Sequence, residues 1–465
     1  SFTNNRDEKF STVFNKPLWT TKDPIIKSNY LQGGNLIFGG KIDEQDTSNL
    51  IYIGKVIERS SGSSMLGSNC WLDINFPHVI YITGTRGTGK SFDLGVIIEG
   101  ISSLKRKSQI QHAEQLPASI LIDTQNQFWT LKYQPNKQID ANNEQLKLLE
   151  KWNIDPNALS DCDIYIPKNS QKITGDEKIF FIDPMSVNHE EWCSLVDQEV
   201  YSPQGHIIRQ ALKILSEYEA YDLEDIIGTI SNENNFPNVS DNARNALTYK
   251  LEDIKDSNLF HRDGLDVKSM LMPGKCNIFM LRDIQNSDKA LITGIIARQL
   301  FKIMGDYHTK KKVNSFFEKK VKNEEVLASK VWLLIDEAHV VAPTEGQSAA
   351  RNALIEYVKR GRDAGLSLVL ATQQPSAVDD KILSQVNLSL SHRLTFDSDS
   401  NACINRIPTT KLKKINYGGK EISDFSDMIS LLGPGQCFVG DSHTSRVITV
   451  SIRPRSSSHG GYSPK

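Results

Sequence analysis

Gly84-Thr85-Arg86-Gly87-Thr88-Gly89-Lys90-Ser91 decides the fold. The octet has the form G-x-x-x-x-G-K-S, follows the apolar run Val79-Ile80-Tyr81-Ile82 and precedes a helix-like segment from Phe92 to Leu104. Strand, loop, helix is the context in which such a glycine-rich loop cradles phosphates. Its glycines let successive backbone N–H groups turn inward, and the N-terminus of the following helix adds partial positive charge. In this pattern Lys90 reaches the β and γ phosphates and Ser91 offers its hydroxyl to Mg²⁺. The competing reading is a glycine-rich turn that binds nothing, and the match at every required position in this context argues against it.

Other apolar runs supply partners for that strand. Ala118-Ser119-Ile120-Leu121-Ile122-Asp123 is read as a second buried parallel strand with Asp123 facing the site. Val331-Trp332-Leu333-Leu334-Ile335 ends in Asp336-Glu337. One of these carboxylates can hold a hydrated Mg²⁺ and the other can orient the water that attacks the γ-phosphate, roles assigned to Asp336 and Glu337. Leu366 to Thr372 is another strand and ends at Gln373, whose amide is placed to sense the γ-phosphate; a satisfied amide at a strand end is the plainer alternative. Cys276 to Leu281 reads as a further strand, followed by an amphipathic helix from Ala290 to Met304. A ring-forming ATPase also needs an arginine set against its neighbour's γ-phosphate. Arg362 is the first candidate, Arg360 and Arg393 the next, although basic residues near a helix C-terminus are also ordinary dipole partners.

The 465 residues favour one large α/β domain with additions, or two domains. With 54 basic and 56 acidic residues the net charge is -2, so a nucleic-acid surface must be local. Six cysteines lie scattered without C-x-x-C spacing, which suits free thiols and a cytoplasmic location. No long apolar run suggests membrane insertion, and no signal-peptide pattern opens the chain. The expected division is an N-terminal arm and small β module over 1–75, a first core part over 76–203, a helical insertion over 204–264, a second core part over 265–450 and a tail over 451–465. Within the insertion the 3.6-residue period predicts three helices. The charge run over 308–325 is expected to be a solvated loop rather than a nucleic-acid patch.

Taken in order, Gly84 to Ser91, Ile335-Asp336-Glu337-Ala338-His339, Gly361-Arg362-Asp363-Ala364-Gly365-Leu366, Ala371-Thr372-Gln373-Gln374-Pro375-Ser376, Ile382 to Asn387 and His392-Arg393-Leu394 resemble the HerA branch of the HerA/FtsK ATPases. Ile53-Gly54-Lys55-Val56, Ile452-Arg453-Pro454-Arg455 and His459-Gly460-Gly461 extend the resemblance from about Ile51 to the tail. Asp336-Glu337-Ala338-His339 also occurs in a helicase class with tandem motor domains, but that class needs a second motor domain with its own glycine-arginine motif.

The resemblance implies a RecA-like parallel sheet, P-loop ATPase chemistry with ATP and Mg²⁺, and a homohexamer with ATP between subunits. It further implies translocation of double-stranded DNA and a separate partner, either a nuclease such as NurA or an antiphage effector enzyme. An ATP-gated scaffold that assembles such an effector with little translocation is the alternative. A conjugation or secretion motor is disfavoured by the lack of a membrane segment. Thr344 to Ser348 and Ser376 to Lys381 occupy positions where RecA-like rings put DNA-facing loops, with a plain surface turn as the alternative for each.

Overall fold

The computed structural model describes residues 35–40, 48–60, 63–318, 326–406, 415–417, 420–422, 425–442 and 446–459. The arm expected over residues 1 to about 30 lies outside them. Strands run as β1 (Asn35–Phe38), β2 (Asn49–Ser60), β3 (Ser63–Asp73), β4 (Val79–Thr83), β5 (Gln111–Ala113), β6 (Ala118–Asp123), β7 (Cys162–Pro167) and β8 (Lys178–Phe180). They continue as β9 (Cys276–Met280), β10 (Val331–Ile335), β11 (Leu366–Thr372), β12 (Leu388–Ser391), β13 (Ile415–Tyr417), β14 (Lys420–Ile422), β15 (Gln436–Asp441) and β16 (Arg446–Ile452). The helices used below are α1 (Lys90–Ile101), α2 (Asp140–Trp152), α3 (His189–Leu195), α4 (Pro203–Leu215), α5 (Leu223–Ser231), α6 (Asp241–Asp256), α7 (Asn286–Phe316) and α8 (Arg351–Arg360).

Short apolar strands that are buried on both faces pair in parallel, as crossover helices require. The order β12-β4-β11-β10-β6-β9-β7-β8 is parallel throughout. This is a RecA-like arrangement: β4 carries the glycine-rich loop, and β11 separates it from β10. Successive side chains leave opposite faces of each strand. Ile80 and Ile82 of β4 therefore join a core with Leu94, Ile97, Ile98 and Ile101 of α1. Tyr81 joins the opposite core with Leu291 and Ile295 of α7 and Leu354 of α8.

The strands before the loop do not stand apart from this sheet. β2 pairs antiparallel with β16, and β16 with β15, which lies against β12. Gly54 permits the join, because a Cβ there would sit 2.1 Å from the Ser451 carbonyl oxygen. The small β module expected over 1–75 is therefore an extension of the main sheet in its described part.

Helices α4, α5 and α6 occupy the stretch with 3.6-residue periodicity, and side-chain oxygens of Ser202, Asp222 and Ser240 cap their N-termini. A further short helix, α3, precedes them with a reciprocal Asn188–Glu191 capping box. The charge run at 308–325 departs from the expected loop, since α7 remains helical to Phe316. Lysine favours helix, and the His308 ring meets the Ser329 carbonyl oxygen at 2.7 Å, tying the helix to the approach of β10. Residues 319–325 of that run lie outside the described residues.

Residues 453–459, expected as a tail, form a buried strap along α1. Glu99 of α1 is 0% exposed and Arg453 is 0% exposed. Glu99 Oε2 accepts from Arg453 Nη1 at 2.8 Å and from the Ser456 amide at 3.1 Å. Glu99 Oε1 accepts from the Ser457 amide at 2.9 Å. Arg453 also donates to the Tyr52 and Val96 carbonyls, so one guanidinium joins β2, α1 and the strap. Burial acts to raise the Glu99 carboxyl, but Arg453 and Arg455 outweigh it and hold it below the usual carboxylate value.

Removing one partner of a buried ion pair strands the other charge. Arg453→Ala should cost about 3–5 kcal/mol of stability in urea denaturation followed by tryptophan fluorescence. Arg262→Ala, which removes a surface ion pair with Asp222 and Asp225, should cost less than about 1 kcal/mol. A depressed carboxyl stabilises the fold above its unfolded value, so the Arg453→Ala deficit should shrink as pH falls through the Glu99 value.

Candidate active site

Parallel register brings strand ends together. Thr83 at the end of β4 lies beside Thr372 at the end of β11, and Ile335 of β10 lies beside Ile122 of β6. Gly84, Gln373 and Asp336, which follow their strands, and Asp123, which ends β6, therefore share the crevice at the carboxyl ends, where open α/β sheets bind ligands.

The glycine-rich loop folds back on itself. Thr88 Oγ1 donates to the Thr85 carbonyl at 2.7 Å, and Lys90 Nζ donates to the same oxygen at 3.1 Å. Gly89 holds φ 128°, a region closed to most side chains, and lets α1 begin at Lys90 without a side-chain cap. The first-turn N–H groups of α1 thus lack a side-chain acceptor, the arrangement that receives an anion. Gly87, at φ +80°, has nothing within 4 Å of where a Cβ would lie, so the cradle is open on that side. Arg86 is exposed and Ser91 half-buried at the start of the helix.

Facing Lys90 are the acids that end β10. Asp336 is 1% exposed, and its Oδ1 has no hydrogen-bond partner. Burial, then the negative charges of Asp123 and Glu337, push its carboxyl well above the usual range, while Lys90 opposes them. Burial lowers the Lys90 ammonium against the pull of Glu337, Asp336 and Asp93. Glu337 adopts a left-handed backbone at φ 51°, uncommon for a non-glycine residue and a frequent mark of functional strain. Its Oε2 accepts from the Gln373 amide at 3.4 Å. His339 Nδ1 lies 3.4 Å from the same Glu337 oxygen and 3.0 Å from Thr372 Oγ1. The sequence reading gave His339 no role; its place in the Asp336-Glu337-Ala338-His339 tetrad was the available signal.

Asp123 differs from the other two acids. The amides of Gln125 and Phe128 donate to its two oxygens at 3.1 and 2.9 Å, closing the turn after β6. Burial still raises its carboxyl to about 6.

The three arginines separate. Arg393 stays beside the loop, its carbonyl accepting from the Thr85 amide at 2.9 Å, with an exposed side chain. Arg360 and Arg362 sit before β11, at the other end of the strands and roughly 20 Å from Gln373 by strand length. Arg360 is exposed, pairs with Glu356 at 3.4 Å and lies over the Phe301 ring; Arg362 is exposed beside Leu366 and Asn387. Neither reaches the glycine-rich loop of its own chain. The stretches at 344–348 and 376–381 are joined: the Thr344 amide donates to the Ala377 carbonyl at 2.9 Å, and Arg351 pairs with Asp379 at 3.2 Å.

These residues fit a magnesium–nucleoside triphosphate. The loop offers an open backbone cradle and a lysine, and Asp336 presents a buried oxygen without a partner. Among the described residues no three His, Cys, Asp or Glu side chains gather as a metal cage. Mg²⁺ does not need one, because it is commonly held by one or two carboxylates together with phosphates. Among the described residues no helix is long and apolar enough to cross a membrane.

Known proteins resemble this chain in sequence and in fold. The chain is 27% identical over 237 residues to the DNA double-strand break repair helicase HerA of Sulfurisphaera tokodaii, covering 47% of this chain and 45% of that protein. It is 23% identical over 182 residues to the HerA of Pyrococcus furiosus, covering 36% and 31%. The chain thus spans less than half the length of these relatives. In fold it is similar to VirB4 of Thermoanaerobacter pseudethanolicus, with a TM-score of 0.50, 13% identity and coverage of 88% of this chain and 97% of that one. The family described as Helicase HerA, central domain, matches residues 51–300, more than half of the chain, and the chain belongs to it.

Proposed function

We propose that the chain is a ring-forming, Mg²⁺-dependent ATPase that translocates on or grips double-stranded DNA and works with a separate nuclease or effector protein. The observation that carries this reading is Lys90 set opposite Asp336 and Glu337, with Asp336 Oδ1 buried and without a partner. Bound Mg²⁺ supplies neutralisation of the phosphate charge. Asp336 and Ser91 hold it, and the backbone from Gly84 to Ser91 with Lys90 holds the phosphates. Glu337 orients and deprotonates the attacking water, with His339 and the Gln373 amide steadying its carboxylate. Gln373 senses the γ-phosphate from the end of the strand between loop and acids.

The homohexamer that the resemblance implies gives the arginines a use. Arg362, or Arg360, lies too far from its own loop to stabilise charge there and serves the site of the next subunit; Arg393 is the local candidate. The joined stretches at 344–348 and 376–381 face duplex DNA. Neither is strongly basic, so contact with phosphates is independent of sequence, weak per subunit and summed over the ring. The HerA relatives named for DNA break repair support DNA as the polymer handled.

Lys90→Ala should abolish ATP binding, and retained affinity would refute the loop assignment. Glu337→Gln should bind ATP and form rings, yet hydrolyse at least about a hundredfold more slowly. Steady-state hydrolysis should rise with linear duplex DNA, and the stimulation should fade as salt rises, because phosphate contacts weaken through counterion release. Turnover indifferent to DNA would instead support the ATP-gated scaffold. Asp336→Asn should raise the thermal midpoint without nucleotide. A raised carboxyl makes the folded protein keep a proton that the unfolded chain has lost, so wild-type stability falls as pH climbs above the usual carboxylate range. The gain from Asp336→Asn should therefore grow from pH 4 towards neutrality.

A further inference from the structure

Beneath the glycine-rich loop lies a buried polar pair that the scheme above leaves unused. His392, just after β12, is 0% exposed, and Asp93, in the first turn of α1, is 1% exposed. His392 Nε2 and Asp93 Oδ2 are 2.5 Å apart, bridging positions far apart in the chain. His392 packs against two glycines of the loop, its β-carbon against Gly84 and its ring against Gly89. A Cβ on Gly84 would lie 2.7 Å from His392 Cβ, and a Cβ on Gly89 would lie 3.1 Å from its Cε1.

The backbone around the ring is stitched to the same loop. The His392 amide donates to the Thr83 carbonyl at 2.8 Å, and the Arg393 carbonyl accepts from the Thr85 amide at 2.9 Å and from Thr85 Oγ1 at 3.2 Å. On the far side the Gly435 amide donates to the Thr88 carbonyl at 3.2 Å. The loop is therefore held at its start and near its end, and His392 packs against Gly84 and Gly89 at those same two ends.

As a stabilising device the pair is a poor choice. Asp93 Oδ1 and His392 Nδ1 have no hydrogen-bond partner, and a half-satisfied polar pair in a core is usually worse than a well-packed apolar one. What the pair supplies is orientation. A planar ring fixed by one short bond to α1 can take few positions, and the direction of the loop's N–H groups depends on where Gly84 and Gly89 rest. Asp93 also lies within electrostatic reach of Lys90 on the same helix.

We infer that His392, oriented by Asp93, is a positioning residue that presets the phosphate-binding loop to receive nucleotide. The inference rests on the nucleotide-site reading above.

The test uses the full chain, titration with a fluorescent ATP analogue, and steady-state kinetics. His392→Leu keeps an apolar body but removes the donor, whereas His392→Gln places an amide N–H near the position of Nε2. His392→Leu should raise the Kd and KM for ATP at least about tenfold while kcat at saturating ATP stays within about threefold, the split expected when ground-state and transition-state binding are lost together. His392→Gln should return the Kd to within about threefold of wild type. Asp93→Asn, which is nearly isosteric but removes the charge, should raise the Kd at least about threefold. Wild-type affinity in His392→Leu or in Asp93→Asn would overturn the inference. So would a His392→Gln variant as impaired as His392→Leu, since packing alone would then explain the residue. Failure of the wild-type protein to bind the analogue would instead bring down the nucleotide site, and is told apart because every variant would share it.

Discussion

Desolvation of charge where the parallel strands end governs this molecule. The apolar runs of β4, β6, β10 and β11 stop together, and their ends bring polar residues to one crevice. Asp336 is driven up and Lys90 driven down by the same burial. Asp123 is held by backbone amides and spends its lone pairs on a turn. The Asp336 carboxyl has no such local partner on one oxygen, and a site of this kind gains most from a ligand that brings its own cation.

Much of this was legible because it is written locally. The octet from Gly84 to Ser91 carries its glycines, lysine and hydroxyl in consecutive positions, and the acids of β10 follow directly on an apolar run. Periodicity likewise located α4, α5 and α6. Features assembled from distant positions left no trace. Glu99 looks like an ordinary helix acid until Arg453 and Ser457 close on it, and Asp93 looks like a favourable first-turn acid until His392 is laid against it. The charge run after His308 is helical as far as Phe316 although its polarity predicts a loop. Lysines propagate a helix well, and nothing local marks Phe316 as its end.

Strand β11 shows how the proposed ring would economise on parts. One end carries Gln373 beside the acids, and just before the other lie Arg360 and Arg362. A single rigid strand would then sense one nucleotide site and present a cation to the next. The joined stretches at 344–348 and 376–381 hang from the same strand ends as the acids, so a change at Glu337 or Gln373 has only a few residues to cross before reaching them.

Continuity of the sheet from β8 to β1 carries a mechanical meaning. Hydrogen-bonded strands resist shear far better than a linker does, and β16 welds the strands that precede the loop to those that follow it. The Glu99–Arg453 clamp adds a bolt at that seam. The outer strands β1 to β3 are therefore joined to the strand that carries the phosphate loop through one continuous hydrogen-bonded sheet. A tilt at Gly84 would be felt at the rim, and a load applied at the rim would be felt at the site.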